Sequence, residues 1–475
     1  MVRDRNSLNE EEKKRRQLMR YIGLGSAIGL AGCSGDDGGD GGGDGGDGSG
    51  DGGDGGDGGD SGGQQTVTGE MEYLSWGLEF MEDTVDSWVS DFQDKYGAKY
   101  GNPEVKVTYR GPDTESMVSY FQSGLQSGEP VNAMDTQMMT YARYAEDDVW
   151  VDHEKFEESD EYLDKFYDSV VNVGRYNGTL LQLPFYHNTN LTYYRKQWFD
   201  DAGLEAPPAD DPWTTDEYLD NAAKIVNETD AKFGLTTLTF GWRGWPFFYS
   251  EGVNMLNKDR NKAAFNTDRA AEILGRFRDL TDDGVIPEVT WTGTWEPQAQ
   301  QFGGGNTGIY FSNGAALRLV SNFGSDWVNK DTLKIFTAPE NKRYGGILLG
   351  HWHGIVKTNI PEPQQKASFD LLRVITNKKW QKDFLRTTTV LVPHKEALQE
   401  LANDDQYNEE NPMLVRQYNQ FREVSDKLAV PPKVPGAGQV WSIFRSNWQA
   451  AALGEKSVDK ALNDAEQRIN SELQG

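Results

Sequence analysis

Apolar residues along most of this chain recur with one of two periods, and the periods take turns. A mainly apolar run, 71–76, predicts a strand, and Val85, Trp88, Val89, Phe92 and Tyr96 then recur at helical spacing behind Asp83 and Thr84, which can cap. Val105, Val107 and Tyr109 alternate with Lys106, Thr108 and Arg110, predicting a second strand, before Met117, Val118, Phe121 and Leu125 return to a helical stripe. Two further strands are predicted over 180–185 and 191–194. Tyr218, Leu219, Ala222, Ile225 and Val226 share a helix face that Thr214 and Glu217 open as a capping box. Ile273, Leu274, Phe277 and Leu280 form another stripe, stopped at Gly284 and Pro287. Near the end, Trp441, Phe444 and Trp448 share a face closed by Gly454, and Ser457 opens a last helix with Val458, Leu462, Ala465 and Ile469 inward. Strand and helix in alternation predict an α/β fold.

The first 69 residues follow neither period. A basic block, Lys13-Lys14-Arg15-Arg16-Gln17-Leu18-Met19-Arg20, precedes eleven mostly apolar residues, 21–31, that include Gly23, Gly25 and Gly29. A membrane-spanning helix needs about 20 apolar residues, so the run reads as a signal peptide. The paired arginines resemble a twin-arginine export signal; Leu18-Met19-Arg20 stand where that signal has Phe-Leu-Lys, so the general secretory route stays open. Leu30-Ala31-Gly32-Cys33 resembles a lipobox, which makes Cys33 the lipidated first residue of the mature chain. Residues 34–63 comprise 18 Gly, 9 Asp and 3 Ser, with nothing apolar to drive collapse. The organisation expected is a signal peptide with lipobox over 1–32 and, over 33–69, the lipidated cysteine and a disordered tether reaching roughly 30 Å.

Charge and composition narrow the functions. With 75 acidic against 47 basic side chains, the net charge of −28 excludes a nucleic-acid binder that rests on a basic surface. The acidity of the globular part is spread along it, as on a surface adapted to strong salt, and a halophilic source, haloarchaeal in particular, is expected. A single cysteine excludes an intrachain disulfide and a cysteine-based zinc site, and five histidines leave little for a metal centre. The length suits two or three domains.

Motif order in the middle of the chain carries a resemblance. Gly178-Thr179-Leu180-Leu181-Gln182-Leu183-Pro184 is followed by Leu191-Thr192-Tyr193-Tyr194-Arg195-Lys196, Asp201-Ala202-Gly203-Leu204, Pro207-Pro208 and Trp213-Thr214-Thr215-Asp216-Glu217. Later come Phe302-Gly303-Gly304-Gly305-Asn306-Thr307-Gly308-Ile309, Pro339 before Gly345-Gly346, and Leu453-Gly454-Glu455-Lys456-Ser457. From about residue 70 to 475 the chain resembles an extracellular solute-binding protein of family 1, the maltose-binding type, receptor of an ATP-binding-cassette sugar importer. Departures are Asn132 near an expected aspartate, an insertion at 209–212, and Ala315-Ala316 where relatives often carry a stacking tryptophan. The resemblance implies a two-lobed periplasmic-binding-protein type II fold with discontinuous lobes, 70–185 with 338–388 and 186–337 with 389–475. Hinge crossings are expected near 183–187, 336–339 and 387–392. It also implies a monomeric receptor, held outside the cell membrane by lipid on Cys33, that hands its ligand to membrane permease subunits. No enzyme activity and no cofactor are expected.

A sugar presents hydroxyl pairs at its edge and apolar C–H faces, so its receptor needs amides or carboxylates together with aromatic planes. Of 14 tryptophans, Trp88 and Trp448 sit on helix stripes and read as core. By the resemblance, Trp242 and Trp441 match positions that stack sugar rings, and Trp76 and Trp352 border the cleft; Trp245 joins the candidates from its loop. Polar candidates near the cleft are Asp113, Thr136, Gln137, Tyr186, His187, Asn188 and Asn313. Three rivals remain. A polyamine suits acids and aromatics, a metal could use His351 and His353 two apart on a strand, and a secreted glycoside hydrolase needs two carboxyls about 5–9 Å apart.

Overall fold

The strands that the alternating periods predict all lie in one sheet. The computed structural model describes residues 66–67, 69–75, 81–110, 114–237, 239, 242–324 and 326–474. Cys33, the signal segment, the tether, Trp76 and Asp113 lie outside the described residues.

Strands β1 (Met71–Ser75), β2 (Val105–Tyr109) and β3 (Ala133–Gln137) come first, then the short β4 (Arg175–Tyr176) and β5 (Thr179–Leu180), which form a hairpin. They are followed by β6 (Leu183–Arg195), β7 (Phe233–Thr237), β8 (Thr307–Asn313), β9 (Leu333–Phe336) and β10 (Leu348–Ile355). The sheet runs β2-β1-β3-β10-β6-β8-β7, with β9 also on β6. β1 is parallel to β2 and β3, whereas β10 is antiparallel to both β3 and β6. β8 is antiparallel to β6 and parallel to β7.

One strand serves two half-sheets. Leu183 to Thr189 of β6 pair with β10, and Asn190 to Arg195 pair with β8 and β9. Of the strand expected over 180–185, Leu180 ends β5, and 183–185 share with the strand expected over 191–194 a single β6, thirteen residues long. The intervening His187-Asn188-Thr189-Asn190 is too polar to read as a strand, yet all four are buried. Their backbone groups remain in the ladder. Asn190 shows how the polar side chains are accommodated: its amide donates to the carbonyls of Arg243 (3.2 Å) and Ser312 (3.4 Å), and its oxygen accepts from the Ile347 N–H at 3.0 Å.

Strand β10 runs close against β6 at Gly350. Its φ of +154° and a Cβ position only 2.2 Å from the Tyr186 carbonyl oxygen leave no room for a side chain. Immediately after it, the β10–β6 register shifts between His351 and Trp352.

Helices begin and end where the local chemistry requires. Thr214 and Glu217 close the capping box of helix Thr215–Glu228, and Ser457 accepts from the Lys460 N–H to start Val458–Glu472. Helix Ala437–Ala452 packs against Asp268–Asp282 and Val458–Glu472. Its Trp448 is buried among Phe248, Phe277 and Trp291, with ring centroids 5.1–5.4 Å apart. Trp88 is likewise core, edge-on to Phe185.

Candidate functional site

The polar run of β6 lies where its two half-sheets meet, and side chains from both converge on it. On the β3–β10 side, Tyr186 stacks on His351 with centroids 4.7 Å apart and planes at 18°, and on Phe384 at 5.3 Å. His351 Nδ1 lies 3.0 Å from Asp135 Oδ1, while Ser75 Oγ donates to the other oxygen of that carboxylate at 3.0 Å. Burial, reinforced by the Asp135 charge, pushes the Tyr186 hydroxyl well above its ordinary pKa, so it is a neutral donor.

The opposite side is aromatic. Trp242 stacks on Trp441 (5.1 Å, 24°), and both meet Trp245 edge-on at 6.4 and 6.2 Å. The turn that presents them is unusual, because Trp242 has a left-handed φ of +70°. Between Trp242 and Trp245, Arg243 turns inward with its guanidinium over the Trp295 ring at 4.9 Å. Burial lowers its pKa to about 10, opposed by the nearby Tyr310 and Tyr186, and it stays cationic at neutral pH. Arg243 thus links the aromatic cluster to Tyr186 across the junction.

Several buried polar atoms here have no hydrogen-bond partner among the described residues: Asn188 Oδ1, Asn313 Nδ2, both ring nitrogens of His187, and the indole N–H groups of Trp242, Trp295 and Trp441. Leaving a buried donor or acceptor unsatisfied costs about 1–3 kcal/mol each, so a cluster of them is a set of groups prepared for something that supplies partners. Asn313 retains one bond, its oxygen accepting from the Ala315 N–H at 3.1 Å. A Cβ on Gly314 would lie 3.3 Å from Asn188 Oδ1, which brings the two amides to one corner. Burial holds the His187 pKa near 3, leaving a neutral ring against Phe421.

Of the other described candidates, Trp352 and Thr136 are engaged elsewhere. Trp352 is fully buried and donates its indole N–H to the Val170 carbonyl at 3.0 Å. Thr136 is buried with its hydroxyl 2.8 Å from Gln182 Oε1, and Gln137 ends β3 opposite His351. The two histidines of β10 have separate partners: His353 Nε2 is 3.0 Å from the Tyr73 hydroxyl, whereas His351 meets Asp135. No group of three His, Cys, Asp or Glu suited to a metal occurs among the described residues. Sequence reasoning missed Asp135, Arg243, Trp295 and Tyr310. Asp135 and Arg243 each adjoin a residue that was singled out, and that adjacency was the available signal.

A profile described as "Bacterial extracellular solute-binding protein" matches residues 88–413, more than half of the chain. The sn-glycerol-3-phosphate-binding periplasmic protein of Escherichia coli is 21% identical over 418 residues, 83% of this chain and 91% of that protein. Among solved structures, maltose-bound MalE3 of T. maritima aligns with a TM-score of 0.65 at 19% identity, over 85% of this chain and 99% of that one. The sugar-binding protein MalE of Xanthomonas citri gives 0.69 at 18% identity, over 85% and 97%. These likenesses establish the two-lobed α/β fold. No helix among the described residues is long and apolar enough to cross a membrane.

Proposed function

Because the chain belongs to the bacterial extracellular solute-binding proteins, we propose that it captures a carbohydrate, an oligosaccharide in particular, between two closing lobes and delivers it to an ATP-binding-cassette permease. The observation that carries this reading is the set of unpartnered buried groups where the half-sheets meet. Two amides, three indole N–H groups and a stacked tryptophan pair offer what a sugar needs, edge-on hydrogen bonds and apolar faces. We divide the chain into lobes 70–185 with 338–388 and 186–337 with 389–475; the change of β6 partners, which falls between Thr189 and Asn190, four residues past the first of these bounds, supports a crossing in this strand. We place lipid on Cys33 as the anchor and the 34–63 tether as the spacer that lets a monomeric receptor work at the outer membrane face.

Arg243 favours a variant of the same function, a sugar or polyol that carries a phosphate or carboxylate. It puts a buried cation beside the aromatic cluster, and the Escherichia coli relative is named for a phosphorylated polyol. The same cation opposes a polyamine.

A melting screen at high salt with neutral oligosaccharides, phosphorylated sugars and polyamines tests these readings. A ligand at 100 times its dissociation constant adds about 2.7 kcal/mol of stability. Stabilisation by a polyamine alone, or cleavage products from an oligosaccharide, would overturn the proposal.

A further inference from the structure

Two cavities, the second of which borders the aromatic cluster at Trp245, share a wall made by Arg260 and 430–432. The first, about 350 Å³, is completed by Arg175, Asn177, Gly178 and Lys433. The second, about 310 Å³, is lined by Trp245, Tyr249, Met255, Leu256 and Ile347 among others. Three distant parts of the chain supply the cations of the first: the β4–β5 hairpin, the turn around Arg260, and the segment before helix Ala437–Ala452.

We propose that the first cavity binds a phosphate group, through the guanidinium groups of Arg175 and Arg260 and the ammonium of Lys433. In a chain of net charge −28 a cation ordinarily finds a carboxylate, and Arg175 does, meeting both oxygens of Glu154 at 2.6 and 2.8 Å. Neither Arg260 nor Lys433 has an ion pair among the described residues. Lys433 is nevertheless fixed, donating to the carbonyls of Asn172 (2.8 Å) and Arg175 (2.7 Å), which leaves one of its three protons for a ligand. Burial first, and then the two neighbouring guanidiniums, lower its pKa to about 8. Arg260 is exposed and stands at a left-handed backbone position, φ +59°, in a turn where Asn257 accepts from the N–H groups of Asn261 and Lys262. Planar guanidiniums and a fixed ammonium are the donors that recognise phosphate. The phosphate is either free or borne by an ester, whose organic part the adjoining cavity could take.

Calorimetric titration of the full chain with inorganic phosphate, against a chloride background of constant ionic strength, tests the site. The expected result is saturable one-to-one binding, weakened at least tenfold in Arg260→Gln and in Lys433→Gln and unchanged in Lys232→Gln, at an exposed lysine away from the cavity. Lys433→Gln keeps a donor for the two carbonyls, and far-ultraviolet circular dichroism checks that both variants are folded. A parallel titration of the wild-type chain and Lys433→Gln with glucose 6-phosphate separates the sources: binding tenfold tighter than phosphate that Lys433→Gln loses assigns the ester, and binding equal to phosphate assigns the free anion. Heats no larger than dilution, or binding that survives in both folded variants, would overturn the proposal.

Discussion

Trp242 combines a ring in the aromatic cluster with a backbone conformation that disfavours any side chain, and the two contributions can be separated by a pair of substitutions. Trp242→Ala and Trp242→Gly delete the same ring. If the unliganded chain keeps the cluster packed, losing a fully buried tryptophan costs about 3–5 kcal/mol in both. They differ in the backbone. At φ +70° an L-residue bears roughly 1–2 kcal/mol that glycine does not, while glycine loses about 0.5–1 kcal/mol more chain entropy on folding. The glycine variant is therefore expected to be the more stable by about 0.5–1 kcal/mol, the reverse of the usual order. Urea unfolding without ligand measures the difference, and titration with the solute found by screening should show both variants weakened by a similar 5- to 150-fold, about 1–3 kcal/mol. An alanine variant at least as stable as the glycine variant would refute the strain argument. Undiminished solute affinity in both would reduce the ring to packing.

Gly350→Ala sets a methyl against the Tyr186 carbonyl, so it should destabilise the chain by more than 2 kcal/mol or so and weaken solute binding with it, both visible in melting curves taken with and without solute. His187 is neutral in the fold, with a pKa near 3 against about 6.5 when unfolded; between those values the unfolded chain binds the extra proton, so stability falls as pH drops from about 6.5 toward 3. His187→Asn should flatten that slope by up to one proton, about 1.4 kcal/mol per pH unit, in unfolding midpoints measured from pH 4 to 7, and an unaltered slope would contradict the burial argument. Cys33→Ser should release the protein into the medium or leave it unprocessed; a membrane fraction that retains it as before would remove the anchor.

Where local chemistry suffices, the sequence was legible. The Thr214 and Ser457 caps, the strand at 105–109 and the core positions of Trp88 and Trp448 each depend on neighbours within a few residues or on a simple period. The middle of β6 was not legible, because what keeps His187 to Asn190 extended is pairing with β10 and β8, more than a hundred residues away in sequence. The site divides in the same way. Trp242, Trp441, Asn188 and Asn313 could be singled out by motif order, and the structure brings them to the junction. Arg243 could not, since its inward course depends on the left-handed turn at Trp242, and tryptophan gives no sign of adopting one. Trp295 lies at the start of helix Trp295–Gly303, where the Arg243 guanidinium covers it, a contact made across some fifty residues of sequence.

The place of β10 between β3 and β6 governs how the chain can emerge from the ribosome. About 210 residues separate the end of β3 from the start of β10, which at 5–20 residues per second is about 10–40 s of synthesis. Throughout that interval β3 lacks the strand that will cover it, and from its own synthesis onward so does the first half of β6, which leaves two hydrogen-bonding edges open to other chains. The second half of β6 can meanwhile pair with β8 and β9, both made earlier than β10. The later segment of sequence therefore completes its half-sheet first, and the N-terminal half-sheet waits for a strand encoded near the other end.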